Sequence, residues 1–192
     1  MNTPENLQPD TIIVDVSTDV GQLFKVGELQ CWPIQVRIIN LPDKRPVTVA
    51  LFVGDKKPSC SFEFFQQFVT EIQGIISEGG ILVENKRVQI NLRYFIADTP
   101  ARAFALNHFG HTSAHPCSKC KFEGHRCAVQ GFERTMVFPG VFNEPRTDAE
   151  YHAILDKDHH KGRSPLAQIF PLVTRVPYLS LIHISEPTRR TP

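Results

Sequence analysis

The chain has 192 residues, 41% of them hydrophobic, and a formal net charge of +1. That length and apolar content suffice for one ordinary domain with its own core, and they exclude disorder as the default state. Near-balanced charge excludes an overall basic footprint, so any contact with nucleic acid must come from local patches. No stretch approaches the roughly 18 consecutive apolar residues that span a bilayer, and Met1–Asp10 has no apolar segment of a secretion signal. The expectation is a soluble, unsecreted protein without a membrane partner. Five cysteines, an odd number that includes Cys117-x-x-Cys120, fit a reducing compartment where thiols bind metal more often than they pair.

Residues 1–10 are polar and contain proline, which predicts a flexible lead-in. Three runs rich in Val and Ile follow, Thr11–Ser17, Trp32–Asn40 and Val47–Val53, and read as strands. Pro42, Asp43 and Pro46 between the second and third suit a turn, so these two form a hairpin. After Pro58, Ser61 is placed to cap a helix in which Phe65, Phe68, Val69, Ile72 and Ile76 make one apolar stripe. Gly79-Gly80 ends it. Val88, Ile90, Leu92, Tyr94 and Ile96 then alternate as a fourth strand that reaches Asp98, and Thr99-Pro100 opens an Ala-rich helix to about Asn107.

Three strands, a helix, a fourth strand and a second helix is the order of the ribonuclease-H-like fold, an α/β mixed sheet with flanking helices. The core so defined covers 11–110. In that fold, acidic residues sit on the first strand and at the end of the fourth. From Gly110 the pattern changes: His111, His115, Cys117, Cys120, His125 and Cys127 crowd together, and Pro, Gly and Asn dominate to Thr147. Residues 111–178 therefore read as a Cys/His insertion and a partial continuation, with a short helix over Thr147–Leu155.

Asp98 and Asp19 are the candidate carboxylates. Metal-dependent phosphoryl transfer needs hard oxygen ligands that hold divalent cations at neighbouring strand ends. Asp15 shares side-chain parity with Asp19 and is a rival. Asp19 near Gly21 also reads as a turn residue, and Asp98 as a helix N-cap. Cys117 and Cys120 can both reach one tetrahedral zinc; two more ligands are needed, from His111, His115, His125, Cys127 or the His159-His160 pair. That pair, flanked by Lys157, Asp158, Lys161 and Arg163, otherwise reads as a solvated loop. Arg87, Arg93, Arg102, Lys119, Lys121 and Arg126 are candidate phosphate contacts.

Four stretches together carry a family resemblance: Ser17-Thr18-Asp19-Val20-Gly21-Gln22-Leu23-Phe24-Lys25, Cys31-Trp32-Pro33-Ile34, Phe95-Ile96-Ala97-Asp98-Thr99-Pro100-Ala101-Arg102, and Gly110-His111 leading to Cys117-x-x-Cys120. From about Ile12 to Tyr178 the chain resembles the catalytic domain of eukaryotic cut-and-paste DDE transposases of the CACTA-related kind, which also gave rise to domesticated transposase-domain proteins. The resemblance implies that Asp19 and Asp98 are the first two catalytic acids, binding Mg²⁺ or Mn²⁺. It implies a structural Zn²⁺ on Cys117 and Cys120, with a downstream histidine pair as the other ligands, and a third acid on a later helix. It further implies DNA partners (transposon ends and target), possible homo-oligomerisation and a nuclear location. One departure is Val20 between Asp19 and Gly21, where the family often has Asp-Gly directly.

Residues Leu179 to Arg189 resemble one reading frame of the transposase adapter used in sequencing libraries, so 179–192 is expected to be an artefact and the native chain to break off near Tyr178. Lacking a third acid, the fragment is expected to be inactive. A rival expectation is a domesticated, non-catalytic zinc-stabilised module that binds DNA or protein. A weaker one is an unrelated zinc-ribbon adaptor.

Overall fold

The computed structural model describes residues 9–22, 29–129, 132–140 and 143–178; the lead-in before Pro9 and the adapter-like tail lie outside them. The strands are β1 (Thr11–Thr18), β2 (Gly21–Gln22), β3 (Gln30–Ile38), β4 (Val47–Gly54), β5 (Ile81–Val83) and β6 (Lys86–Ile96), and they form one mixed sheet. β3 lies between β1 and β4 and is antiparallel to both, while β1 runs parallel to β6. Helices α1 (Ser61–Ser77) and α2 (Thr99–Ala105) supply the connection before β6 and the segment after it. The protein is thus α/β, with the predicted β3–β4 hairpin present.

One face of the sheet is covered. Val14, Val16, Trp32, Ile34 and Phe95 pack against Phe65, Phe68 and Val69 of α1 and against Ala101 and Ala105 of α2. The predicted stripe therefore faces the core through its first half, whereas Ile76 near its end is 46% exposed. Leu166, Phe170, Leu172 and Val176 complete this core from a 3₁₀ turn, Pro165–Gln168, and the segment after it. That segment returns beside β6, where Phe95 N donates to Arg175 O at 2.9 Å.

Several local expectations differ from the structure. Cys60, not Ser61, is the N-cap of α1, and the Ser61 hydroxyl is buried without a hydrogen-bond partner. β5 was not anticipated; a two-residue turn at Glu84 and Asn85, both with positive φ, folds it onto β6 as such hairpin turns require. Gly80 is needed at its start, since its φ is +115° and a Cβ there would stand 2.0 Å from Val88 O.

The alternation in β6 also breaks. The pairing with β1 runs from Thr11↔Gln89 to Val14↔Leu92 and then shifts to Asp15↔Tyr94, which leaves Arg93 as an extra residue. The bulge changes parity, so Phe95 (0% exposed) and Ala97 (2%) join the core in place of Tyr94 and Ile96.

After α2 the chain forms a second, two-stranded sheet from β7 (His125–Val129) and β8 (Phe132–Val137), then helix α3 (Asp148–His152). Thr147 and Glu150 close a capping box on α3. Asp148 ties the helix to the returning segment by accepting from Val173 N, Thr174 N and Thr174 Oγ1.

Candidate functional site

The two candidate carboxylates lie just past the ends of neighbouring parallel strands, β1 and β6. The strands pair up to Ser17↔Ile96, and Asp19 and Asp98 each lie two residues beyond that pair. β2 continues the β1 register on β3, from Thr18↔Ile34 to Gly21↔Cys31, so Asp19 and Val20 are a two-residue interruption of one strand. Gly21 is required there by close approach, because a Cβ would stand 2.9 Å from Cys31 Sγ. Asp19 is exposed, and its Oδ1 accepts from Val20 N at 2.7 Å.

Asp98 is the N-cap of α2. Its Oδ1 accepts from Ala101 N at 2.8 Å, which fixes the carboxylate, and among the described residues Oδ2 carries no hydrogen bond. Both the cap reading and a ligand role are therefore compatible in one side chain. A groove of about 630 Å³ opens at this end of the sheet, lined by Val20, Trp32, Asp55, Lys56, Lys57 and Asp98 among others. Asp15, the rival carboxylate, is taken: Arg93 grips it through Nε–Oδ1 at 2.8 Å and Nη2–Oδ2 at 2.5 Å, and Asp15 is 4% exposed.

Cys117 and Cys120 come together with Sγ atoms 3.2 Å apart. Lys119 N donates to Cys117 Sγ at 3.4 Å. A backbone amide two residues beyond Cys117 thus points at its sulfur, which favours the thiolate and suits a metal. Arg146 braces the loop, donating from Nε to Cys117 O and Cys120 O while its Nη2 pairs with Asp156 at 2.6 Å. Burial would raise the Cys117 thiol, but hydrogen bonds led by the Tyr178 hydroxyl outweigh it and leave it below the usual cysteine value. Burial, then Cys117 itself, pushes Cys120 up. Among the described residues no group of three or more His, Cys, Asp or Glu side chains converges as a metal site.

His159 and His160 are not a solvated loop. They are 0% and 7% exposed, and His159 stacks on His108 with ring centroids 4.5 Å apart. Both His159 nitrogens are engaged, Nδ1 with His115 O at 2.7 Å and Nε2 with the Tyr151 hydroxyl at 3.3 Å. Burial lowers His159 to about 3 and His108 to about 4. The charged neighbours in sequence concealed this cluster, and His108 gave no local sign of its role.

The candidate phosphate contacts are mostly engaged by other groups of the chain. Arg87 pairs with Glu78, Arg93 with Asp15, and Lys121 with Glu144 and Glu150. Lys119 donates to Val173 O. Arg102 is 3% exposed, with its guanidinium 3.9 Å over the Tyr178 ring. Arg126 remains exposed. Lys56 and Lys57, beside Asp98 in the groove, were missed because no motif surrounds them.

No protein-family model, curated protein or solved structure matches the chain.

Proposed function

We propose that this chain is part of a DDE-type DNA transposase catalytic domain, a ribonuclease-H-like core with a small zinc-binding insertion. What supports the reading is that Asp19 and Asp98 each lie two residues past the last pair of adjacent parallel strands, inside a sheet ordered β4–β3–β1–β6. Two carboxylates with an oxygen available on each are a donor set for hard cations, and Asp19 and Asp98 would hold Mg²⁺ or Mn²⁺. Such ions activate the attacking oxygen and stabilise the leaving one in strand cleavage and transfer. The α2 cap keeps Asp98 in place before any ion arrives, and Lys56 and Lys57 would meet the backbone phosphates of transposon-end or target DNA in the groove. Cys117 and Cys120 supply half of a structural zinc site.

The third acid of such a site has no counterpart in this reading, so the chain is inactive alone. An oligonucleotide nicking assay with Mg²⁺ or Mn²⁺ tests this: no cleavage is expected, and cleavage abolished by Asp98→Ala would overturn it. The second reading is a domesticated, non-catalytic zinc-stabilised module binding DNA or protein. It is favoured by the N-cap bond of Asp98, which accounts for that residue without catalysis.

A further inference from the structure

We propose that the cavity between α2 and the Cys117 loop binds a small oxyanion, a phosphate group, on the buried guanidinium of Arg102. The cavity holds about 220 Å³ and is walled by Thr99, Arg102, His108, His111, Cys117 and Tyr178 among others. It is separate from the groove beside Asp98. The α2 segment borders both, with Asp98, Pro100 and Ala101 on the groove and Thr99, Arg102 and Ala103 on the cavity. The phosphate site therefore stands whether or not Asp19 and Asp98 hold a metal.

Arg102 is 3% exposed, yet among the described residues it forms no ion pair with a carboxylate. Its Nη2 donates to Thr99 Oγ1 at 3.2 Å, and the guanidinium lies 3.9 Å over the Tyr178 ring. Nε and Nη1 are left without a hydrogen-bond partner among the described residues. A cation taken out of water needs a counter-charge, and the face of a ring supplies only part of one. No carboxylate lines the cavity. Cys117 could carry negative charge there, but its sulfur is engaged by Cys120 Sγ at 3.2 Å and the Tyr178 hydroxyl at 3.4 Å, and it makes no hydrogen bond to Arg102. Lys119 Nζ, 5.9 Å from the centroid of the Tyr178 ring, adds a second positive charge nearby. His108 Nδ1 meets Phe109 O at 2.6 Å, so Nδ1 carries the proton, and Nε2 is left as an acceptor that is buried without a partner. A hydrogen phosphate offers both a pair of oxygens for the arginine fork and an O–H for such an acceptor.

The test is an NMR titration of the full chain with inorganic phosphate, and in a second arm with phenyl phosphate, following the backbone amides and the Arg102 Nε–H. Saturable shifts of the Arg102 Nε–H and of the amides of Thr99, His111 and Cys117 are expected. Tighter binding of phenyl phosphate assigns the site to a phosphomonoester, and tighter binding of inorganic phosphate assigns it to the free ion. Arg102→Gln, with circular dichroism to score folding, should weaken phosphate at least about tenfold, the range for losing hydrogen bonds to a charged group. Arg102→Lys, which keeps the charge but not the fork, should fall between it and wild type. The Arg102 Nε–H signal is read in wild type, so it decides the matter even where a variant does not fold. No saturable shift at Arg102, shifts confined to exposed residues such as Lys56 and Lys57, or unchanged affinity in a folded Arg102→Gln protein would each overturn the proposal.

Discussion

Asp98 caps α2 through one oxygen, and in the proposed reading it would ligate an ion through the other, so the two roles can be separated by substitution. Asp98→Ala removes the bond to Ala101 N and should cost about 1 kcal/mol in urea unfolding. Asp98→Ser can keep the cap and should recover most of that stability without restoring any metal binding. The buried histidines set a second expectation. His108 and His159 lie below the ordinary histidine value because burial disfavours their charged forms. The unfolded chain therefore binds more protons between about pH 6.5 and their folded values near 4 and 3. Their full contribution is present above pH 6.5 and is lost as the pH falls through that window. Urea midpoints measured from pH 7.5 to 4 should decline, and His159→Gln should flatten the decline; a level profile would contradict the neutral, buried assignment. A third expectation concerns the thiols. Zn²⁺ should protect Cys117 and Cys120 from alkylation together, leaving Cys31, Cys60 and Cys127 reactive by mass spectrometry. Equal reactivity of all five would count against the metal role.

At the level of elements, the strands and helices were legible because their apolar runs are long and bounded by Pro and Gly. The exceptions have local physical causes. β5 is three residues long, too short to show a period. The Arg93 bulge was hidden because β6 is apolar on both parities beyond Leu92. His159 and His160 were misread because their burial is decided by Tyr151 and by His108 and His115, the last two more than 40 residues away in sequence. The α1 stripe, by contrast, could be read directly, and its centre, Phe65, is fully buried against Phe64, Phe95 and Phe104. Phe65→Ala should destabilise the fold by about 3–5 kcal/mol in chemical denaturation, while Ile76→Ala, at the exposed end of the same stripe, should change stability by well under half of that.

For the whole molecule, the parallel pairing of β1 and β6 carries two aspartates 79 positions apart in sequence to the same edge of the sheet. Sequence alone suggested both residues, but not the shift at Arg93 in the pairing of the strands that carry them. The Cys/His segment joins the same body through the stacking of Tyr178 on Arg102 and through Phe95 N, which donates to Arg175 O. In the proposed reading, Asp19 and Asp98 hold a divalent ion jointly. The most direct measurement is a map of Mn²⁺-induced broadening of backbone amide resonances. The account predicts that amides around Asp19 and Asp98 broaden together at low Mn²⁺, and that Asp98→Ser removes both effects. Broadening at only one of the two, or broadening that survives Asp98→Ser, would contradict it.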